Sequence, residues 1–369
     1  MCLFILFLQK IRCNVYINIY EWLYIRYINQ RMNIFCATFN QNGNYITANV
    51  LQHIYSLLNA PLPELLVLSF QETKYGFEYY WTGTGIERNY VIIHKIRLNG
   101  IGNVGIRGLG LYVLARKNFK KMVEYKSENW VRFNHQYFGK GAVSINITIG
   151  NHKFLFINTH LPYNDSWEGG GINERIDSLN VLYTYLIANE SYQHLFIMGD
   201  FNFRIHLKQR ECVSPQLMLN DPSLYELYLR NKNWRLLHYN DEFFILNYLY
   251  GNYLSTLDMN DCFGTEFGFH LETQLLPFYN HILDKPLFPP TYKLQLDRQS
   301  CITMIENTDK LDIETHYDRW NTDRRPSWCD RILYVPHPNL TRKKYECADN
   351  ITINNSDHLL VWSVFEIAE

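Results

Sequence analysis

The stretch HLFIMGDFNFRI, residues 194–205, passes within a few positions from an apolar run to Asp200 and Asn202. A run such as His194–Met198 reads as a strand covered on both faces, which requires layers above and below its sheet. The same design recurs on either side. KFLFINTH places the strand Lys153–Thr159 before His160, and LLVLSFQE places Leu65–Phe70 before Gln71 and Glu72. NIFCATF (Asn33–Phe39) leads to Asn40 and Asn42 in the turn-forming NQNGN. Towards the C-terminus, Asp330 precedes the strand Arg331–Val335, and Asp357-His358 precede Leu359–Phe365.

Between these lie strand candidates at Tyr90–Leu98, Gly110–Ala115 and Ala142–Ile149, the last forming a hairpin with Lys153–Thr159 through Gly150-Asn151. Helical spacing appears at Ile46–Leu58, Ile172–Ala188 and Ser223–Asn231, whereas residues 241–287 show no clean period. Strands thus come both in hairpins and alternating with helices, without a strict βαβ rhythm. That mixture predicts two packed mixed sheets with helices outside, as one domain over residues 32–369. Residues 1–31, rich in Tyr and Ile, form an N-terminal extension.

Composition narrows the function classes. The 369 residues are 47% apolar and 19% charged, as in an ordinary folded chain. Net charge is −1, so there is no global basic field for a long polyanion, and no nucleic-acid partner is expected. The eight cysteines include no CxxC pair, which argues against a zinc site or disulfide framework and for a reducing, cytoplasmic setting. The opening run MCLFILFLQK is too short to span a bilayer and lacks a basic n-region. Asn-X-Ser/Thr matches, as at Asn146 and Asn339, are expected by chance in so Asn-rich a chain.

A single carboxylate at a strand end is usually a cap or a loop residue. Six strand ends carrying metal-ligand or acid/base side chains are harder to dismiss, because strand ends gather into a common rim where clefts form. Glu72, Asn42 and Asp357 are hard oxygen donors of the kind that suit Mg²⁺ better than zinc. Asp200 can orient or deprotonate a water, and His160 and His358 can donate to phosphoryl oxygens. Asp330 can hold one imidazole in its tautomer.

Seven segments then occur in an order that resembles the inositol polyphosphate 5-phosphatases of the endonuclease/exonuclease/phosphatase superfamily. They are TFNQNGN (38–44), SFQET (69–73), NTHL (158–161), MGDFNFRI (198–205), PPTYK (289–293), RRPSWCDRIL (324–333) and SDH (356–358). The resemblance covers almost the whole chain from Asn33 to Phe365. It implies a DNase I-like α/β/β/α sandwich and Mg²⁺-dependent hydrolysis of the 5-phosphate of a phosphoinositide or soluble inositol polyphosphate. It further implies Glu72 as principal Mg²⁺ ligand with Asn42 and Asp357 nearby. Asp200 would activate water and Asn202 would hold the scissile phosphate, with Asn40 in the same catalytic group. His160 and His358 would neutralise the phosphate, and Asp330 would orient His358. Tyr292, Lys293 and Arg324 match positions that grip a 4-phosphate, and Lys140 matches a lysine near the 1-phosphate.

Two positions depart from the pattern. Phe138-Gly139-Lys140-Gly141 lacks the usual Asn before its Lys, and Thr322 stands where a lysine often precedes the 4-phosphate arginine. Both bear on substrate choice rather than on the reaction. The segment Leu161–Ile172, with Tyr163 and Trp167, is either a membrane-contacting loop at the mouth of the site or a surface turn. The alternatives to a phosphatase are a DNase-like or abasic-site nuclease, a sphingomyelinase-like phosphodiesterase, and a catalytically weak phosphoinositide-binding module.

Overall fold

The computed structural model describes residues 31–74, 81–99, 107–133, 139–163, 170–204, 241–243, 288–292, 327–348 and 356–368. In chain order the strands are β1 (Arg31–Asn40), β2 (Leu65–Thr73), β3 (Tyr90–Leu98), β4 (Gly108–Arg116), β5 (Val123–Arg132) and β6 (Gly141–Ile149). They continue with β7 (His152–His160), β8 (His194–Asp200), β9 (Asp330–Tyr334), β10 (Leu340–Cys347) and β11 (Val361–Ala368). One sheet has the order β10-β11-β1-β2-β4-β3 and the other β5-β6-β7-β8-β9.

Each sheet is antiparallel except for one parallel pair at its centre, β1 with β2 and β7 with β8. A parallel pair cannot be closed by a tight hairpin and needs a crossover. Here helix α1 (Ala48–Ser56) joins β1 to β2. Helix α2 (Gly170–Leu182), continued by a π-helical turn over Tyr183–Ile187, lies between β7 and β8. The sandwich is therefore organised around two crossover units.

Three apolar cores separate four layers. Between the sheets, Ile34, Cys36, Val67 and Val113 meet Val143, Phe156, Phe196 and Ile332. Outside the first sheet, Val50, Leu51 and Ile54 of α1 cover Phe35, Ala37, Leu66 and Leu68. Outside the second, Ile176, Leu179 and Leu182 of α2 cover Leu155, Ile157, Leu195 and Ile197. Successive residues of β1 and β8 thus point into different cores, so both strands read as unbroken apolar runs.

The expected α/β/β/α sandwich is the observed one, with several boundaries shifted. β1 begins at Arg31, one residue before the expected domain start, and Asp330 opens β9 rather than preceding it. The last strand runs Val361–Ala368, and α2 begins at Gly170, inside the segment read as a loop. β5 and β10 have no counterpart in the sequence reading. The expected helix Ser223–Asn231 and residues 1–30 lie outside the described residues. No helix among the described residues is long and apolar enough to cross a membrane.

Candidate active site

Sheet register assembles the site. In the second sheet His160 pairs with Asp200 across β7 and β8, and Asp200 pairs with Asp330 across β8 and β9. In the first, Asn40 pairs with Gln71 at the ends of β1 and β2. These are the carboxyl ends of both parallel pairs, where open α/β sheets form their ligand crevices. Beneath the rim, Gln71 Nε2 donates to Asn158 Oδ1 at 2.8 Å. Asn158 Nδ2 donates back to the Phe70 and Gly110 carbonyls at 2.9 and 2.8 Å, so a buried amide ties the sheets together. Within the second sheet, β8 needs glycine beside β7: a Cβ on Gly199 would lie 1.9 Å from the Thr159 carbonyl oxygen.

The side chains converge on a cleft of ≈ 230 Å³. Asp200 is buried, and its Oδ2 accepts from Asn40 Nδ2 at 2.9 Å and faces His160 Nε2 at 3.2 Å. Its Oδ1 accepts from the Asn202 backbone N–H at 3.0 Å. His358 Nδ1 meets Asp330 Oδ2 at 2.8 Å, leaving Nε2 turned towards Asp200 and Asp357, each at 3.9 Å. Thr291 Oγ1 donates to the same Asp330 oxygen at 2.7 Å. The Ser356 hydroxyl donates to the Asn40 carbonyl at 2.6 Å and accepts from His358 N–H at 3.1 Å, which fixes the SDH turn against β1.

Glu72 also lines the cleft, with Oε1 3.8 Å from His160 Nε2. Asn42, Glu72 and Asn202 have φ of 47°, 50° and 54° and are the non-glycine residues at positive φ among those described. Such backbone is sparsely populated and persists where the surroundings over-determine it.

Electrostatics sort the ionisable groups. Burial alone would raise the Asp200 pKa, but the charge and hydrogen bond of His160, with His358 and Lys140, hold the carboxyl well below its usual range. For Glu72, burial is likewise outweighed by His160, Lys140 and Arg107, and the pKa is lowered. Burial would lower His358, yet Asp330, joined by Asp200 and Asp357, pushes it up to about 9, so this imidazole is charged at neutral pH. Burial and the adjacent Lys140 lower His160. Lys140 Nζ touches His160 Nε2, and its own pKa is lowered by burial.

Of the expected site residues, Asn40, Asn42, Glu72, Lys140, His160, Asp200, Asn202, Tyr292, Asp357 and His358 line one cleft. Asp330 sits behind His358, and Lys293 and Arg324 lie outside the described residues. Tyr292 is seated by backbone bridges to Ser327 and His358, its ring 4.5 Å from the imidazole.

Sequence reasoning assigned no role to Arg107 or Arg204, which also line the cleft. Arg204 lies 4.3 Å over the Tyr163 ring and 4.4 Å over the Tyr292 ring, and its Nη2 donates to Asn202 Oδ1 at 2.8 Å. The signal for Arg204 was its place in GDFNFR. Arg107 had none.

The molecule is a two-sheet sandwich that gathers acid, imidazole and amide groups at the ends of its parallel strands. The profile of the Endonuclease/Exonuclease/phosphatase family 2 matches residues 37–230, and the chain belongs to this family. It is 22% identical over 320 residues to phosphatidylinositol 3,4,5-trisphosphate 5-phosphatase 1 of Xenopus laevis, covering 82% of this chain and 26% of that protein. It is 25% identical over 237 residues to phosphatidylinositol 3,4,5-trisphosphate 5-phosphatase 2 of Sus scrofa, covering 62% and 15% respectively. The chain therefore spans about a quarter or less of these relatives.

Among solved structures, the inositol polyphosphate 5-phosphatase domain of SPsynaptojanin, in complex with inositol (1,4)-bisphosphate and calcium ion, superposes with a TM-score of 0.55. That match has 19% identity and covers 94% of this chain and 89% of that one. A Cimex nitrophorin reaches 0.54 at 14% identity, covering 92% and 99%. One fold thus hosts unrelated chemistries, and function must be argued from the site.

Proposed function

We propose that the chain is a phosphatase that hydrolyses the 5-phosphate monoester of phosphoinositides, such as phosphatidylinositol 4,5-bisphosphate, or of soluble inositol polyphosphates. The observation that carries this reading is the joint placement of an ionised Asp200, a charged His358 backed by Asp330, and Glu72 on the walls of one cleft. The 5-phosphate regiochemistry is supported by the names of the relatives.

Phosphate monoesters are inert in water, so the protein must supply a positioned nucleophile and charge stabilisation. Asp200 would accept a proton from the attacking water, its carboxylate held in one orientation by Asn40 and the Asn202 N–H. His358, charged and oriented by Asp330, would donate from Nε2 to a phosphoryl oxygen. His160 and Asn202 would hold the same group, and Lys140 would approach a second phosphate. Tyr292, Lys293 and Arg324 would grip the 4-phosphate.

The donor set fits Mg²⁺: Glu72, Asn42 and Asp357, which line the cleft, carry carboxylate and amide oxygens, and Glu72 already holds a cation, the Arg107 guanidinium. Bound there, the metal would neutralise phosphate oxygens and stabilise the leaving alkoxide. The tight group Asp200, Asp330 and His358 has atoms within 4.8 Å of one another. Its hydrogen bond from His358 to Asp330 fits an oriented imidazole better than a metal site. Peripheral membrane contact by a cytoplasmic enzyme completes the proposal.

The test is phosphate release with Mg²⁺ from phosphatidylinositol 4,5-bisphosphate, inositol 1,4,5-trisphosphate and an abasic DNA duplex, with Asp200→Ala as control. Release from either inositol substrate, abolished in the variant, is the expected result. Cutting of the DNA alone would move the chain to the nuclease branch, and binding of the lipid without turnover would make it a binding module.

A further inference from the structure

Glu72 has one carboxylate to offer, and part of it is taken. Oε2 accepts a hydrogen bond from Arg107 Nη1 at 3.0 Å, while Oε1 faces the cleft and His160. Arg107 stands immediately before β4, and its side chain is 53% exposed at the rim. An exposed ion pair ordinarily means little. This one also lies against the turn that holds Glu72.

The guanidinium lies against the backbone of Gly43, where a Cβ would come within 2.6 Å of Arg107 Nε and 2.8 Å of Cζ. Gly43 has φ +75°, a conformation open to glycine at little cost. Its N–H bonds to the Glu72 carbonyl at 2.9 Å. The turn that makes room for the guanidinium therefore also holds the backbone of Glu72. The other end of Arg107 is confined too, since a Cβ on Gly139 would sit 3.0 Å from the Arg107 carbonyl oxygen. Gly43, Glu72, Arg107 and Gly139 come from four separate segments that meet at this point.

A divalent cation seeking Glu72 meets a unit positive charge already hydrogen-bonded to the carboxylate. Two cations cannot share these oxygens without strong repulsion, which the half-exposed setting weakens but does not remove. We propose that Arg107 is a resident counter-ion of Glu72 that competes with the divalent cation, and so sets the metal concentration at which the site loads. This rests on the reading of Glu72 as a metal ligand. When metal takes the carboxylate, the guanidinium is released into a cleft whose substrate is anionic.

The experiment measures Mn²⁺ binding to the metal-free full chain, without substrate, by calorimetry and by loss of the free-ion paramagnetic resonance signal. Arg107→Met should bind Mn²⁺ about tenfold more tightly than the parent, as expected for removing a half-exposed like charge beside the ligand. Arg107→Lys, which keeps the charge, should stay close to the parent and controls for folding. Glu72→Gln should lose this binding with or without Arg107. If Arg107→Met leaves Mn²⁺ affinity unchanged or weaker while Glu72→Gln abolishes it, the competition is wrong and the Glu72 reading survives. A raised KM for the inositol substrate at unchanged Mn²⁺ affinity would make Arg107 a phosphate clamp instead, also overturning the proposal. Mn²⁺ binding that ignores Glu72→Gln would remove both readings.

Discussion

At the end of β1 the Asn42 N–H bonds to Asn40 Oδ1 at 2.9 Å; at the end of β8 the Asn202 N–H bonds to Asp200 Oδ1 at 3.0 Å. Both turns place their third residue at positive φ, 47° and 54°, which asparagine tolerates better than most residues. The same local device thus closes a strand in each sheet, and the two turns touch through Asn40 Nδ2 and Asp200 Oδ2. They differ in charge. The first turn begins with an amide and the second with a carboxylate, so one can donate to the other. Two carboxylates at this separation would not both stay ionised at neutral pH. The pairing teaches that Asn40 aims Asp200, and that the two turns divide the proposed work: the first brings Asn42 to the metal donors and the second carries the carboxylate that acts on water.

The largest effect expected from breaking this asymmetry comes at Asp200. Asp200→Ala should lower kcat by roughly 10³-fold or more while leaving substrate affinity largely intact, as read from single-turnover rates beside equilibrium binding. Unchanged turnover would return Asp200 to the role of a structural cap. Next is Asp330, which neighbours the second turn. Asp330→Asn should cost about 10–100-fold in kcat through a misoriented His358, with the imidazole's titration moving down from about 9 in an NMR pH series. A normal rate would show that the hold of Asp330 on His358 is dispensable.

Making the two turns alike gives a smaller effect with a distinctive sign. Asn40→Asp should put a shared proton between positions 40 and 200, raising one folded-state pKa above its unfolded value. The destabilisation is then absent below the unfolded pKa, grows as pH rises from there to the raised folded pKa, and is constant above it. Unfolding free energies should therefore match the parent near pH 3, below the ordinary carboxylate range, and fall below it by about 1–3 kcal/mol at pH 8. A pH-independent loss would mean simple disruption of packing. Smallest is Lys293→Ala, expected to raise KM severalfold only for substrates bearing a 4-phosphate, and equal losses on substrates without one would exclude that contact.

Legibility in the sequence followed burial. β1, β2, β7 and β8, apolar on both faces, were visible to within a few residues. β5 (VEYKSENWVR) and β10 (LTRKKYEC) were not, and both are edge strands. Their charged, partly exposed side chains protect an open edge and erase the apolar alternation that marks a strand. β3 (YVIIHKIRL) is an edge strand with a register shift too, and stayed legible because its β-branched and apolar residues outnumber its charges. In the site, residues inside compact motifs were legible because acids, amides and histidines interrupt apolar runs there. Arg107 was not, because its meaning depends on Gly43 and Glu72, brought to it by other segments.

By itself the sequence determined the layered α/β/β/α class, the strand ends that carry polar groups, and the family to which those motifs belong. These are local properties, written in hydrophobic period and in residue type at a strand terminus. Only the tertiary structure decided which of these groups touch. Asn40 reaches Asp200 across 160 positions of chain, and the row His160–Asp200–Asp330 exists because β7, β8 and β9 pair in one register. A slip of one residue would turn every one of these side chains to the other face.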